Sequence, residues 1–450
     1  MKEIPVYLLS LGCPKNLVDA EVMSATLFER GFRITPREKD AEVVIVNTCA
    51  FIHPAREESI HEILRLAGLK KKGKCRHLVV TGCLPQRYGK ALFPELPEVD
   101  LFLGPEEVPR ITDHLQALLS EPSPKRKIHT PRFLFLMTAE HPRHLSTPPH
   151  IAYLKIADGC SNRCAYCVIP SIRGRFRSRP MEDVLREAGS LAGRGVKEVV
   201  LVAQDTTSYG RDLKEKPNLS GLLTRLAGIE GFRWIRVLYT YPANLTADLL
   251  ETIAREDRIC KYLDVPVQHI DDEILAAMNR RGNSKLLREK LQLARAIVPG
   301  IALRTSLIVG FPGETRGKFE KLLRFIEETR FEHLGVFTYS KEEGTGAFDY
   351  PSQTTEKLKK ARRDTLMKMQ ASISAEINRS RVGTLSDVLI EGRSENTSFP
   401  FIGRTMGQAP DIDGITFVQA GAARTGDMLG CRIVSADVYD LFAKRISKKP

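Results

Sequence analysis

No run in the 450-residue sequence approaches 18 apolar residues, so no membrane-spanning helix is expected. The opening string Met1-Lys-Glu-Ile-Pro-Val-Tyr7 lacks a signal-peptide pattern and reads as a short strand. Low-complexity sequence is missing apart from a basic tail at 444–450, and there are no internal repeats beyond a strand–helix rhythm. Acid is in deficit. Against 68 Lys and Arg stand 55 Asp and Glu, a formal net charge of +13, so an anionic partner such as nucleic acid or a ribonucleoprotein is expected. Four alternating arginines, Arg173, Arg175, Arg177 and Arg179, carry part of that charge. The nine cysteines do not look paired: their number is odd and their spacings are metal-like, which argues for a reducing cytoplasm rather than disulfides. Hydrophobic residues at 42% and charged residues at 27% are otherwise ordinary. The length suits about three domains.

A missing ligand is the most informative absence. Cys160, Cys164 and Cys167 stand in Asp158-Gly-Cys-Ser-Asn-Arg-Cys-Ala-Tyr-Cys-Val-Ile-Pro170, with C-x3-C-x2-C spacing, and no His or Cys follows for ninety residues. An electron-transfer cluster takes four cysteines, and a closed zinc site takes four ligands. Three thiolates this close can hold three irons of a four-iron, four-sulfur cluster and leave the fourth open. A second set follows three apolar runs that read as buried strands: Pro5-Val-Tyr-Leu-Leu-Ser-Leu-Gly-Cys13, Ala41-Glu-Val-Val-Ile-Val-Asn-Thr-Cys49 and His77-Leu-Val-Val-Thr-Gly-Cys83. Helix-like stretches at 19–31 and 55–69 separate them, so the sheet is expected to be parallel. Ligands gather beyond the carboxyl ends of such strands. Cys13, Cys49 and Cys83 should therefore share one edge and hold a second cluster. Cys75 precedes its strand, and Cys260 and Cys431 have no cysteine near them; these three read as small buried hydrophobes.

The fold class is α/β in three parts. Residues 1–118 form a parallel α/β unit. A basic, Pro-rich linker follows at 119–145, with Pro122, Pro124, Pro131 and Pro142. Over 146–380 a strand–helix rhythm runs six times, with strands at 151–157, 198–203, 234–240, 262–267, 302–310 and 333–340. Six such units suit an open, partial barrel with its active site at the carboxyl ends of the strands. Gln204 and Asp205 end the second strand, Gln268 and His269 the fourth, and Arg304 lies in the fifth. No second histidine stands at ligand spacing from His269. A long amphipathic helix at 355–379 closes this unit. Residues 381–450 read as a small antiparallel β-barrel with strands at 385–390, 415–418, 428–433 and 436–439.

The Cys160 string resembles the signature of the radical S-adenosylmethionine (SAM) enzymes. There the open iron chelates the amino and carboxylate groups of SAM, and the aromatic residue before the last cysteine, here Tyr166, lies near the adenine. The three-part order is similar to the methylthiotransferase family over essentially the whole chain, and the C-terminal part resembles that family's substrate-gripping TRAM domain. The resemblance implies two [4Fe-4S] clusters, on Cys160, Cys164 and Cys167 and on Cys13, Cys49 and Cys83. It implies two molecules of SAM per turnover and a reductant protein. One SAM is cleaved to a 5′-deoxyadenosyl radical that takes hydrogen from an unactivated carbon; the N-terminal cluster supplies sulfur, and the second SAM methylates it. The Gly-Gly-Glu element of many radical-SAM families is absent. Tyr166, Gln204, Asp205 and Arg304 are the candidate SAM contacts.

Two branches of that family differ in substrate: tRNA adenosine (the MiaB type) and the β-carbon of an aspartate in small-subunit ribosomal protein S-twelve (the RimO type). Leu11-Gly-Cys-Pro-Lys-Asn-Leu-Val-Asp19, Cys167-Val-Ile-Pro-Ser-Ile-Arg-Gly174, Gln204-Asp-Thr-Thr-Ser-Tyr-Gly210, Asp264-Val-Pro-Val-Gln-His269 and Gln408-Ala-Pro-Asp-Ile-Asp-Gly414 look like the second branch. Over 381–443 there are eight acids, Asp411 and Asp413 among them, against five bases, which suits a basic protein partner better than phosphates. The tRNA enzyme stays as the alternative. A non-catalytic iron–sulfur or zinc RNA-binding protein is the alternative from another class, with the three-ligand loop against it.

Overall fold

The computed structural model describes residues 3–121, 125–131 and 135–446. Pro122, Pro124 and the basic tail from 447 lie outside the described residues. The first unit is a six-stranded parallel sheet built from β1 (Ile4–Ser10), β2 (Phe32–Ile34), β3 (Val43–Thr48), β4 (His77–Gly82), β5 (Leu101–Leu103) and β6 (Lys127–His129), in the order β2-β1-β3-β4-β5-β6. Every residue of the central β3 is buried. The reason is that helices cover both faces, as parallel sheets require. Val43 and Ile45 share a core with Val18 and Val22 of the helix Pro14–Glu29, while Val44 and Val46 pack with Ile63 and Leu66 of the helix His53–Ala67.

The sixth strand comes from the basic, Pro-rich segment. A short strand bearing lysine suits a sheet edge. The same segment straps the first unit to the second. Arg126 donates to the Val99 carbonyl at 2.8 Å. Buried Arg143 pairs with Glu21 of the first helix and with Glu187 of the helix Met181–Gly193, and donates to the Tyr153 carbonyl at 2.9 Å.

The second unit holds β7 (Ile151–Lys155), the two-residue antiparallel pair β8 (Ala157–Asp158) and β9 (Arg177–Ser178), then β10 (Glu198–Val202), β11 (Trp234–Val237), β12 (Tyr262–Asp264), β13 (Ala302–Val309) and β14 (His333–Thr338). Six parallel strands form two ladders, β11-β10-β7 and β12-β13-β14. A single bridge, Ile235 to Ile259, marks the seam between them. Residues alternate along each strand. Leu154, Leu201 and Leu303 face the surrounding helices; Tyr153, Val200, Trp234 and Tyr262 face inward. The inward set shares one apolar cluster with Val6 and Val18 of the first unit and with Leu389 and Ala409 of the last, so both end units pack into the open barrel.

The last unit is a closed barrel of β15 (Leu385–Arg393), β16 (Phe401–Thr405), β17 (Thr416–Gln419), β18 (Met428–Ala436) and β19 (Leu441–Arg445). It has five strands where the sequence suggests four. β16 escapes the pattern because Gly403 and Arg404 resemble loop residues. Gly403 is needed: a Cβ there would lie 2.2 Å from the Leu389 carbonyl oxygen. The segment expected as a strand at 436–439 is mostly a turn, and the final strand begins at Leu441. Thr355 caps the 25-residue helix Glu356–Ser380, whose Asn378 donates to the Val438 carbonyl at 3.1 Å.

Glu198 joins the two barrels. Fully buried, it pairs with Arg236 of the larger barrel at 2.7 Å and with Arg404 of the smaller one. Burial pushes its carboxyl up, but the Arg404 and Arg236 guanidiniums outweigh burial and hold it at about 2. A depressed carboxyl stabilises the fold above its unfolded range, and that stabilisation is lost as pH falls toward the folded value. At pH 7 it amounts to about 3 kcal/mol. Glu198→Gln should therefore lower stability in urea by about that much at neutral pH, with the gap shrinking by more than half by about pH 3. An undiminished gap at low pH would refute the assignment.

Candidate active site

Cys13, Cys49 and Cys83 lie beyond the carboxyl ends of β1, β3 and β4, three neighbouring strands of one parallel sheet. Cys13 precedes the helix that begins at Pro14, and Cys83 is the first residue of the helix Cys83–Glu95. Two left-handed glycines bend the chain just ahead of them. Gly12 has φ +90°, and a Cβ there would fall 2.6 Å from the Cys49 Cβ; at Gly82, φ +94°, it would fall 2.5 Å from the Asn47 Oδ1. Burial, then the neighbouring Cys83 and Cys13, push the Cys49 thiol up to about 12. Burial also raises Cys83, with Arg173 acting against it.

The second set sits in the loop between β8 and β9. Gly159, φ +78°, precedes Cys160, and a Cβ there would lie 2.1 Å from the Arg175 carbonyl oxygen. Backbone bonds pin the loop from several sides: Cys160 N–H to Gly174 O at 3.0 Å, Ala165 N–H to Met278 O at 2.8 Å, and Ala347 N–H to Ala165 O at 2.7 Å. Burial is the main cause that raises Cys160, and it pushes Cys167 up to about 12. Arg280 approaches the Cys164 sulfur at 3.9 Å.

These thiols fit a cluster by the chemistry of the donor set. At Cys49, Cys83, Cys160 and Cys167 burial and the neighbouring thiols oppose ionisation, and a bound cationic centre reverses that balance. Among the described residues no three His, Cys, Asp or Glu are arranged to hold a single metal ion. One ion needs every donor at about 2.0–2.3 Å from one point. In a four-iron cluster each thiolate meets a different iron, so the sulfurs need not converge.

A buried polar network joins the two loops. Asp19, six residues after Cys13, pairs with Lys155 at the end of β7 and with Arg173 at 2.7 Å. Lys155 and Arg173 also reach Asp158, at 3.3 and 3.4 Å. Arg173 donates to Asn16, which donates in turn to the Thr48 carbonyl at 2.9 Å. Burial works against the Asp158 charge, but Lys155, Arg173 and Gln204 hold its carboxyl well below the usual range.

The other candidates separate. A cavity of about 450 Å³ opens beside Cys160, lined also by Asn162, Phe176, Asp205, Tyr241 and Arg281. Gln204 donates to Asp158 at 2.8 Å and leaves its Oε1 buried without a partner. Tyr166 packs against the small apolar cluster of Ile274, Met278 and Phe311. Arg304, expected at SAM, is committed elsewhere: it lies 2.9 Å from Asp413 of the C-terminal barrel and 3.8 Å from Asp264. The arginine row also divides. Arg173 and Arg179 are buried in internal pairs, the latter with Asp183 and Glu187, so they are not a surface for an anionic partner. Asp413, its side chain fully buried, accepts from Tyr262 at 2.8 Å, so it anchors the small barrel instead of attracting a basic protein; Asp411 accepts from Tyr153 at 3.2 Å but stays exposed. Cys75, Cys260 and Cys431 are buried. His269 faces Glu314 at 3.6 Å and accepts from the Asp271 N–H. The sequence reading overlooked Lys15, Tyr239 and Asp264 on the inner face. A lysine in a helix's first turn with no acid beside it was the available signal.

Three family models match along the chain: uncharacterized protein family UPF0004 over residues 5–104, the radical SAM superfamily over 154–326, and the TRAM domain over 382–446. Two solved radical SAM enzymes share the fold at low identity. TsrM from Kitasatospora setae, with cobalamin and a [4Fe-4S] cluster bound, has a TM-score of 0.54 at 15% identity over 77% of this chain and 74% of its own. The cobalamin-dependent enzyme OxsB scores 0.53 at 13% identity over 83% of this chain and 56% of its own. Sequence relatives are far nearer. The ribosomal protein uS12 methylthiotransferase RimO of Syntrophus aciditrophicus is 60% identical over 450 residues, 99% of each chain. That of Geobacter sulfurreducens is 51% identical over 442 residues, 98% of each. With the two cysteine sets at adjoining strand ends and identity at this level along the whole length, the chain belongs to the RimO family of radical SAM methylthiotransferases.

Proposed function

We propose that this protein methylthiolates the β-carbon of an aspartate in small-subunit ribosomal protein uS12, using SAM and two [4Fe-4S] clusters. One cluster is held by Cys160, Cys164 and Cys167, the other by Cys13, Cys49 and Cys83. The observation that carries the reading is that the two sets sit on loops tied together by one buried network. When bound, SAM and the clusters supply the radical, the sulfur and the methyl group. The chain's own residues hold and orient. The cavity beside Cys160 has the volume of a small-molecule site. Asp205 lines it, fixed by Asn162 at 2.9 Å and Thr207 at 2.6 Å, so its position is set before any ligand arrives. Tyr166, Gln204 and Asp205 are the proposed SAM contacts; Arg304 leaves that set because Asp413 holds it. Arg280 stands 3.9 Å from the Cys164 sulfur, a cation beside the proposed cluster.

The reading divides the chain into a first cluster unit at 1–118, a connecting segment at 119–145, the radical SAM core at 146–380 and the TRAM unit at 381–450. It places the enzyme in the cytoplasm with a reductant protein as electron donor. Among the described residues no helix is long and apolar enough to cross a membrane. With Asp413 committed to internal partners, the acid count of the small barrel no longer separates protein from tRNA as substrate, and the choice rests on the RimO relatives.

Replacing Cys160, Cys164 and Cys167 with Ala should remove about half the iron and abolish reductive SAM cleavage. Replacing Cys13, Cys49 and Cys83 should remove the other half and leave SAM cleavage in place. Iron analysis and 5′-deoxyadenosine assays check this; loss of SAM cleavage in a folded second variant would overturn the division. For the substrate, mass spectrometry of uS12 and of tRNA after incubation with reconstituted enzyme should find the methylthio group on the protein. Its appearance on tRNA alone would replace this reading with the tRNA enzyme.

A further inference from the structure

Around the inner face of the barrel, among the described residues, Lys155, Arg173, Arg236 and Arg304 each have an acid partner. Lys155 and Arg173 bind Asp19 and Asp158, Arg236 binds Glu198, and Arg304 binds Asp413. Lys15 has none. It is 7% exposed, yet among the described residues no carboxylate lies within ion-pair reach of its ammonium. Its Nζ lies instead 3.5 Å from the centre of the Tyr239 ring. It stands in the first turn of the helix Pro14–Glu29, where the helix dipole disfavours a cation and where no acid offsets it. A nearly buried, unpaired ammonium is costly unless an anion arrives.

The surroundings are built for an incoming group. Tyr239 holds a left-handed backbone, φ +60°, an uncommon conformation for a bulky residue and one that collects at ligand sites. Its N–H donates to Asp264 Oδ2 at 2.9 Å, while the other oxygen of that carboxylate is buried with no hydrogen bond. Tyr239 is only partly buried, so the face is open to solvent. The charged groups that act on Lys15 from beyond ion-pair reach are Arg173, Asp158 and Asp264, and the Cys13 thiol lies two residues before it. Lys15 therefore lies beside the Cys13 loop, two residues from Cys13, on the side that faces Arg173 and Asp158 at the ends of the Cys160 loop.

We propose that Lys15 receives the side-chain carboxylate of the substrate aspartate and so sets the preference for aspartate over its neutral isosteres. This rests on the function proposed above and names the residue that recognises the reacting side chain. An ammonium is suited to one carboxylate as a point charge, and an uncharged amide in its place would leave it unpaired. With the carboxylate on Lys15, the adjacent β-carbon is held next to the Cys13 loop, the side from which sulfur would come.

The test uses reconstituted holoprotein and uS12 peptides carrying Asp or Asn at the modified position. Affinity is measured by competition and turnover by mass spectrometry. Wild type should prefer the Asp peptide by about tenfold or more, the size of one lost charge-assisted contact. Lys15→Met should erase that preference, raise KM for the Asp peptide more than it lowers kcat, and keep its iron. Lys15→Arg should restore part of the preference, and Lys15→Gln serves if the Met variant does not fold. An unchanged Asp/Asn preference in these variants would overturn the inference. So would lost iron with the preference intact, which would make Lys15 a counter-ion to the Cys13 thiolate. Wild-type holoprotein that modifies neither peptide nor whole uS12 would instead overturn the function itself.

Discussion

Asp19, Lys155, Asp158 and Arg173 bring two acids and two cations into contact out of water, and they come from three stretches of chain. Asp19 lies on the helix that starts beside Cys13, Lys155 at the end of β7, and Asp158 and Arg173 at the two ends of the Cys160 loop. Removing any one partner would leave a buried charge uncompensated, a loss of about 3–5 kcal/mol. Asn16 extends the network to the turn before Cys49, through Thr48. The two cysteine sets are therefore held by one polar core, although they belong to two sheets. Transfer of a group from one site to a carbon activated at the other needs that fixed spacing, since small misplacements cost rate steeply.

The same burial that orders the loops makes the thiols poor acids. Cys49 and Cys167 are both pushed to about 12. Free thiols there stay protonated at neutral pH, and binding iron must release their protons. The glycines at 12, 82 and 159 serve the same geometry. Each takes a left-handed turn one residue before a cysteine, where a side chain would strike backbone or a neighbouring side chain.

Much of this is legible in sequence because it depends on local order. A cysteine at the end of an apolar run becomes a cysteine at a strand end, and the register of a parallel sheet then sets three such ends side by side. The C-x3-C-x2-C loop is local as well. What the sequence hides is pairing over distance. Nothing near Arg304 announces Asp413, 109 residues on, and nothing near Arg173 announces Asp19, 154 residues back. Arg173 and Arg179, which look like part of a basic surface, are interior, and Asp413, which looks like part of a steering patch, is an anchor. Strand β16 is hidden for a related reason, since its Gly403 answers to the close approach of β15 and not to any local preference. Lys15 was readable as a lysine at a helix start, but the lack of any carboxylate within ion-pair reach of it, among the described residues, exists only in three dimensions.

The small barrel is set into the floor of the larger one. Glu198, Arg236, Tyr262 and Arg304 find partners in Arg404, the Met406 carbonyl and Asp413. A domain attached in this way is not a detachable clamp on a linker. Exchanging it between relatives with different substrates would strand four polar side chains of the recipient in a dry interior. Such a graft holds together only if the receiving residues travel with it. In the history of the family, the small barrel and the base of the radical barrel would accordingly have changed as one inherited unit.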